Sequence, residues 1–288
     1  MKIKEIIVYG VERLKNKNIE EANLKVKMLL MYILNTSKEY FIIHNEQEFP
    51  EEKMEEFENK IARLENNEPI QYITNNQSFF GLDFYVDENV LIPQPDTEIL
   101  VEQCIKILQD VENNPQQNLN RKKDTLKILD LCTGSGAIGV SLAKNIENAK
   151  VYVSDISKKA LEIAKRNAIQ NKVDVTCIES NLFESIDERF YKIVSNPPYI
   201  ETSTIQTLSE EVKREPILAL DGGVDGLDFY RKIAEKAKDY LEDSGYLALE
   251  IGYNQKDMVI EILKDNNFRN IYCKKDFGGN NRVIVAQK

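Results

Sequence analysis

The chain is poor in the residues from which metal, redox and general acid-base sites are usually built. Its 288 residues include a single histidine, His44, and no tryptophan. Four cysteines, Cys104, Cys132, Cys177 and Cys273, stand apart from one another, without the close pairs that hold zinc or cycle a disulfide. They are expected to be free buried thiols, and no metal site is expected. Basic charge is also short. Lys and Arg total 38 against 48 Asp and Glu, a net charge of −10. Stable nucleic-acid binding, which depends on clustered positive charge, is therefore not expected. The short basic run Arg121-Lys122-Lys123 sits in a polar stretch and reads as a solvated linker. No apolar run approaches the ~18 residues of a membrane span, and no signal-peptide pattern is seen. Cytoplasmic localisation is the expectation.

What is present suits a globular protein of two domains, with 42% hydrophobic and 30% charged residues. Residues 1–75 read as a small helical bundle. Ile3, Ile6, Ile7, Val11 and Leu14 recur on one helical face, as do Val26, Leu29, Leu30, Ile33 and Leu34. Pro50 opens a third helix with Met54, Phe57, Ile61 and Leu64 in step. Residues 76–95 form a linker: a hairpin broken at Gly81, then the stiff segment Val90-Leu91-Ile92-Pro93. Pro95 suits the first turn of a helix through Leu108, and 113–123 reads as a polar loop. From there strands and helices alternate, with strands near 127–131, 150–154, 173–178, 191–195 and 245–250. The tail differs, with strands around Ile271-Tyr272-Cys273 and Val283-Ile284-Val285-Ala286 joined by a loop. The pattern predicts an α/β domain over 96–288 whose mostly parallel sheet ends in an antiparallel hairpin.

Lys127-Ile128-Leu129-Asp130-Leu131 is a buried strand pattern, followed at once by Cys132-Thr133-Gly134-Ser135-Gly136 and then a helix. Strand, glycine turn and helix form a nucleotide-binding entry, where the turn lets a ligand approach the backbone and the helix start offers free N–H groups. The next strand ends at Asp155, 155 − 136 = 19 residues past Gly136, the spacing at which a carboxylate meets ribose hydroxyls. A plain helix cap is the alternative role for Asp155 or Ser157.

The second motif is Asn196-Pro197-Pro198-Tyr199, at the end of the strand Tyr191-Lys192-Ile193-Val194-Ser195. Two prolines fix two φ angles and remove two backbone donors, so the local carbonyls can only accept. Asn196 adds a side-chain acceptor and Tyr199 an aromatic face. Together they read as a clamp for a planar NH2 group, although a loop stop with a packing tyrosine has the same letters. Gly134-x-Gly136-x-x-Gly139 also fits a dinucleotide fingerprint, so a dehydrogenase stays in view. Asp130 within the first strand, the lack of a proton donor near the motifs, and the clamp itself favour a sulfonium methyl donor. Methyl transfer to nitrogen needs alignment above all, an effect worth roughly 7–11 kcal/mol of barrier. An exocyclic adenine amine would fit the same clamp after base flipping.

With these motifs in order, the chain resembles the release factor glutamine methyltransferases over nearly its whole length. The resemblance rests on Pro69-Ile70-Gln71-Tyr72-Ile73, Phe79-Phe80-Gly81, Val90-Leu91-Ile92-Pro93, Asp130 to Ile138, Ser195 to Ile200, Glu215-Pro216, Ala219 to Gly223 and Arg282-Val283. It implies a seven-stranded, Rossmann-like S-adenosylmethionine-dependent methyltransferase domain behind a helical domain that helps to hold a protein substrate. The implied reaction methylates the side-chain nitrogen of the glutamine in a Gly-Gly-Gln loop of peptide chain release factors. A ribosomal-protein glutamine is the nearest alternative substrate. Residues Cys132, Thr133, Gly134, Ser135, Gly136, Asp155 and Asn196 would bind the cofactor, with Asn181 and Leu182 near its adenine, and Asn196 to Tyr199 would hold the glutamine. The sequence departs from the family pattern at Gln94 and Asp96, where Arg and Glu are usual, at Cys132 in place of Gly, and at Asn181 in place of Asp.

Overall fold

The computed structural model describes residues 1–112 and 126–288. The expected polar loop 113–123, with Arg121-Lys122-Lys123, lies outside the described residues. The chain divides into two compact units, Met1–Asn76 with Ser209–Arg214, and Gln77–Leu208 with Glu215–Lys288. No helix among the described residues is long and apolar enough to cross a membrane.

The first unit contains α1 (Ile3–Asn16), α2 (Ala22–Leu34), α3 (Tyr40–Ile43), α4 (Met54–Glu65) and α5 (Ile70–Thr74). The apolar stripes seen in the sequence form its core: Ile3, Ile6, Leu14, Val26, Leu29, Leu30, Ile33, Phe57, Ile61 and Leu64 are all buried. Gly10 sits where α1 crosses its neighbours, with space for a Cβ only 3.1 Å from Phe57 Cζ and from Val26. Pro50 is followed by a short 3-10 turn, Glu51–Lys53, that leads into α4. The inserted segment is tied in by polar contacts. Lys25 Nζ donates to Glu211 at 2.6 Å, and Arg214 Nη2 donates to the Asn66 carbonyl at 2.8 Å.

The second unit opens with a hairpin of β1 (Gln77–Phe79) and β2 (Leu82–Phe84), turning through Phe80 and Gly81, both at positive φ. A 3-10 turn, Pro95–Thr97, leads into α6 (Glu98–Glu112). Strand and helix then alternate through β3 (Leu126–Leu131), α7 (Ala137–Asn145), β4 (Ala149–Asp155), α8 (Lys158–Gln170), β5 (Val175–Glu179) and β6 (Phe190–Ser195). Two short helices, α9 (Thr202–Ile205) and α10 (Ile217–Leu220), precede α11 (Asp228–Tyr240), β7 (Leu241–Glu250), α12 (Lys256–Asp265), β8 (Arg269–Lys275) and β9 (Asn281–Gln287). The seven-stranded sheet runs β5-β4-β3-β6-β7-β9-β8. It is parallel up to β7 and antiparallel at β9 and β8, as the change of pattern in the tail leads one to expect.

Register sets the level at which the central strands end. Leu131 at the end of β3 pairs with Ser154 of β4 and with Ser195 of β6, and Ser195 pairs with Leu249 of β7. The next residue on each strand, Asp155, Cys132, Asn196 and Glu250, therefore stands on one carboxyl-end rim. Strand order reverses beside β3, between β4 and β6, which is where open α/β sheets place their ligand crevice.

Lys192 lies in the middle of β6, fully buried, with Nζ donating to the Cys104 carbonyl at 2.7 Å. Burial pulls its pKa from 10.5 down to about 8. The unfolded chain keeps that proton to higher pH, so stability rises as pH climbs from about 8 to about 10.5 and is reduced below that window. Lys192→Met is expected to add on the order of 1–3 kcal/mol at pH 7 and to flatten that rise. Urea unfolding across pH checks this; an unchanged or lower midpoint at pH 7 contradicts it.

Candidate active site

The turn after β3 is held open by contacts beneath it. Asp130 is fully buried, and its Oδ2 accepts from Thr133 Oγ1 at 2.5 Å and from Gly139 N at 2.9 Å. Burial still pushes its carboxyl up to about 7, with the Asp155 charge adding to the rise. Asn167 of α8 ties the turn to the hairpin. Its Nδ2 donates to the Ser135 carbonyl at 2.8 Å and to the Tyr85 carbonyl at 3.0 Å, while Oδ1 accepts from Tyr85 N at 2.7 Å.

Gly134 (φ +55°) and Gly136 (φ +81°) take the left-handed backbone that the turn requires. Cys132 takes it too, at φ +58°, at a cost of about 1–2 kcal/mol for a residue with a Cβ. Burial pushes the Cys132 thiol up to about 12, so it is no nucleophile at neutral pH. A Cβ on Gly134 would meet nothing within 4 Å, because this part of the turn faces open space.

The cap of α8 falls to Ser157, and Asp155 braces the glycine turn. Its Oδ2 accepts from Gly134 N at 2.9 Å, so the acid on β4 braces the turn on β3. Its Oδ1 accepts from Ser157 N at 2.9 Å, while Ser157 itself caps α8 through Ala160 N at 3.2 Å. Burial raises the Asp155 pKa, opposed by these backbone donors. Each oxygen keeps a further lone pair for an incoming hydroxyl. At the end of β5, Leu182 is half-buried at φ +51°, and Ser180 Oγ bridges the turn by donating to the Leu182 carbonyl at 2.8 Å. Asn181 is exposed, its Nδ2 donating to Glu184 Oε1 at 2.8 Å with the side-chain carbonyl left to accept.

A cavity of about 290 Å³ opens at this rim, near the lower end of the roughly 300–1,000 Å³ of small-molecule sites. Its wall includes Cys132, Thr133, Gly134, Ser135, Asp155, Asn181, Leu182, Asn196 and Pro198. Gly136, Pro197 and Tyr199 do not line it. Gly136 supports the turn from behind, where a Cβ would stand 2.9 Å from Ala164 Cβ. Pro197 is buried, and Tyr199 packs partly into the core on the α11 face of the sheet. The Tyr199 hydroxyl lies near Arg282 and Glu250, and burial raises its pKa.

The wall also takes in residues that the chemistry of the two motifs alone does not single out. Glu88, Asn89, Val90, Leu91 and Gln94 line one side, and Pro216, Leu218, Ala219 and Phe229 another. Glu215 joins the two sides through Oε2, which accepts from Ile92 N at 2.9 Å. Gln94 turns its Nε2 onto the Ile92 carbonyl at 3.1 Å, and Asp96 pairs with Arg282 Nη2 at 3.0 Å. Both departures from the family pattern thus have partners within this unit.

The clamp is backed by glycines and one glutamine. A Cβ on Gly222 would lie 2.6 Å from Tyr199 Cα, and one on Gly226 would lie 2.4 Å from the Tyr199 carbonyl oxygen. Gln255 Nε2 donates to that same carbonyl at 2.9 Å. The Asn196 side chain is half-buried and donates through Nδ2 to Thr97 Oγ1 at 3.4 Å, which leaves Oδ1 free to accept.

Gly139, in the first turn of α7 just past the glycine turn, packs closely against the sheet. An added Cβ would stand 2.5 Å from Val153 Cγ1 and 3.1 Å from Asp130 Oδ2. Gly139→Ala is expected to cost about 1–3 kcal/mol of stability, by forcing α7 away from the sheet. Denaturant unfolding reads the loss, and a wild-type midpoint would show that the helix gives way freely.

Two family models match the chain: the PrmC N-terminal domain over residues 5–74 and the methyltransferase small domain over residues 116–215. Similar curated proteins include the release factor glutamine methyltransferase of Clostridium acetobutylicum, 39% identical over 99% of this chain and 98% of that one. Another is the protein of the same name from Fusobacterium nucleatum, 42% identical over 99% of this chain and 78% of its own length. Among solved structures, a methyltransferase from Pyrococcus furiosus superposes with a TM-score of 0.52 at 19% identity, covering 80% of this chain and 98% of that one. A 16S rRNA methyltransferase from T. thermophilus, in complex with AdoMet and guanosine, gives 0.51 at 18% identity, covering 74% and 49%. At such identity the superpositions speak for the fold.

Proposed function

The chain belongs to the release factor glutamine methyltransferase family, and from that premise we propose that it moves a methyl group from S-adenosylmethionine to the side-chain nitrogen of a glutamine in peptide chain release factors. The observation that carries this reading is the meeting of Asn196 with the glycine turn and Asp155 around one cavity. The cavity suits the cofactor chemically. It offers a backbone face open at Gly134, apolar walls at Leu91, Ile138 and Leu182, and the Asp155 carboxylate. Carboxylate and carbonyl acceptors suit hydroxyls and a positively charged sulfur, and among the described residues no basic side chain lines the wall to oppose that charge.

Bound there, S-adenosylmethionine supplies a methyl carbon made electrophilic by its sulfonium. The residues of the chain do the rest by position. Asp155 would accept from the ribose hydroxyls while continuing to brace Gly134, and Leu182 and Asn181 would lie on the adenine side. Asn196 Oδ1 accepts one N–H of the substrate amide, and the Pro197 carbonyl accepts the other. A primary amide is a poor nucleophile because its lone pair is delocalised into the carbonyl. Two acceptors on its hydrogens orient that pair towards the methyl and stabilise positive charge growing on nitrogen. Pro198 forms the adjoining wall, and Tyr199, packed partly into the core outside the cavity, anchors the tail of the clamp. Transfer would form the C–N bond as the C–S bond broke, the electron pair going to sulfur and the amide proton leaving to solvent.

Two substitutions separate these roles. Asn196→Ala is expected to lower kcat by roughly 10²-fold or more, the scale of losing one oriented transition-state contact, with cofactor affinity within a few fold. Turnover near wild type would remove the clamp. Asp155→Ala is expected to weaken S-adenosylmethionine binding by roughly tenfold or more, since it loses both the ribose acceptor and the brace on Gly134. Calorimetry showing unchanged affinity would contradict it. The substrate itself is tested by transfer of labelled methyl to release factor, ribosomal protein and DNA side by side. Labelling of release factor at its Gly-Gly-Gln glutamine is expected, and labelling of one of the others alone would overturn the assignment.

A further inference from the structure

Accepting the clamp reading, on which this inference rests, we propose that Glu250 is a positioning residue for Asn196. Its buried carboxylate keeps the NH2 of the Asn196 side chain turned inward, so that Oδ1 faces the substrate amide. Register makes the two neighbours: Ser195 pairs with Leu249, so Asn196 and Glu250 are the next residues on adjacent strands. Glu250 is 2% exposed, and Oε2 has no hydrogen-bond partner among the described residues. Its backbone is pinned by Tyr230 Oη, which donates to the Glu250 carbonyl at 2.9 Å. The polar side chains beside the carboxylate are Thr97 and Asn196, and both favour its ionised form.

The chemistry of these three groups leaves one consistent arrangement. A carboxylate only accepts, whereas a primary amide accepts at one end and donates at the other. The Thr97 hydroxyl receives Asn196 Nδ2, at 3.4 Å, and has its own proton to give to Glu250. Ionised Glu250 thus faces two donors, and the donor end of Asn196 has to point inward. A clamp with its NH2 outward would present a donor to a donor and would not hold an amide.

The charged surroundings set when Glu250 is ionised. Arg282 of β9 favours the anion and Asp96, before α6, disfavours it. The phenols of Tyr199 and of Tyr230, on α11, face the same carboxylate. Arg282 is shared with Asp276 Oδ2 at 3.1 Å and Asp96 Oδ2 at 3.0 Å, so its charge is largely spoken for. Burial dominates and lifts the Glu250 carboxyl to about 7. Protonated, the acid becomes a donor, and the inward preference of the Asn196 NH2 is lost. Activity and the ordered clamp therefore belong to the pH range above that value and are lost as pH falls through it.

The test pairs wild type with Glu250→Gln, Thr97→Val and Asn196→Ala. In wild type, kcat is expected to climb to a plateau as pH passes about 7. The side-chain amide resonance of Asn196, identified by its loss in Asn196→Ala, is expected to shift with the same midpoint. Glu250→Gln should lower the plateau roughly tenfold or more, abolish that limb and flatten the resonance. Its affinity for S-adenosylmethionine should stay within about threefold. Thr97→Val should lower kcat in the same direction and keep the limb. An Asn196 resonance flat through that range in wild type overturns the proposal without the Glu250 variant having to fold, and so does a Glu250→Gln enzyme with wild-type kcat and pH profile. If Asn196→Ala is inactive while Glu250→Gln behaves as wild type, positioning fails and the clamp stands. If Asn196→Ala is itself fully active, the clamp fails first.

Discussion

Strands β4, β3, β6 and β7 stop at one level because their parallel pairing runs on to the last residue of the shared ladder, Ser154 to Leu131 to Ser195 to Leu249. The chemistry of this protein depends on that alignment. A slip of one residue in β6 would turn Asn196 to the opposite face of the sheet and bring Pro197 or Ser195 to the rim. Register in this sheet is strongly determined, since β6 is buried at every position and both faces are packed by helices. The site is thus assembled from residues far apart in sequence, with no single element carrying it.

Alignment alone would leave four loop ends free to move. The structure restrains them with buried or half-buried polar groups, each fixed by more than one partner. Asp130 holds Thr133 and Gly139, Asp155 holds Gly134 and Ser157, Asn167 holds Ser135 and Tyr85, and Gln255 holds Tyr199 and Gly226. Burying such groups costs free energy that their hydrogen bonds offset, though only in part at Asp130, whose Oδ1 is buried without a partner among the described residues. Glycine supplies the complement. At Gly139, Gly222 and Gly226 the backbone approaches a neighbour more closely than a Cβ permits. A reaction that gains mainly from alignment is well served by such a frame.

Much of this is legible in the residues. The change from helical period to alternating strands and helices separates the helical N-terminal region from the sheet. The unlike tail hairpin foretells β9 running antiparallel between β7 and β8. The glycine turn, Asp155 and the clamp are visible as motifs because unusual residues, glycine and paired proline, fill their key positions. Other parts carry no such mark. Thr97, Asn167 and Glu250 are ordinary letters in a helix start, a helix and a strand, and only register or packing shows what they touch. The fastening of Ser209–Arg214 to the first unit through Lys25 and Asn66 is likewise invisible, because the partners are far apart in the chain. Cys132 shows the limit from the other side. A residue with a Cβ occupies a left-handed position where glycine would be cheaper, and the turn accepts it because its neighbours fix the backbone.

The most direct measurement is a crystal structure of the protein with S-adenosylhomocysteine and a peptide containing Gly-Gly-Gln. The glutamine amide should enter with its two hydrogens on Asn196 Oδ1 and the Pro197 carbonyl, and its nitrogen facing the sulfur. A glutamine bound elsewhere, or an Asn196 with its NH2 turned to the substrate, would contradict the clamp.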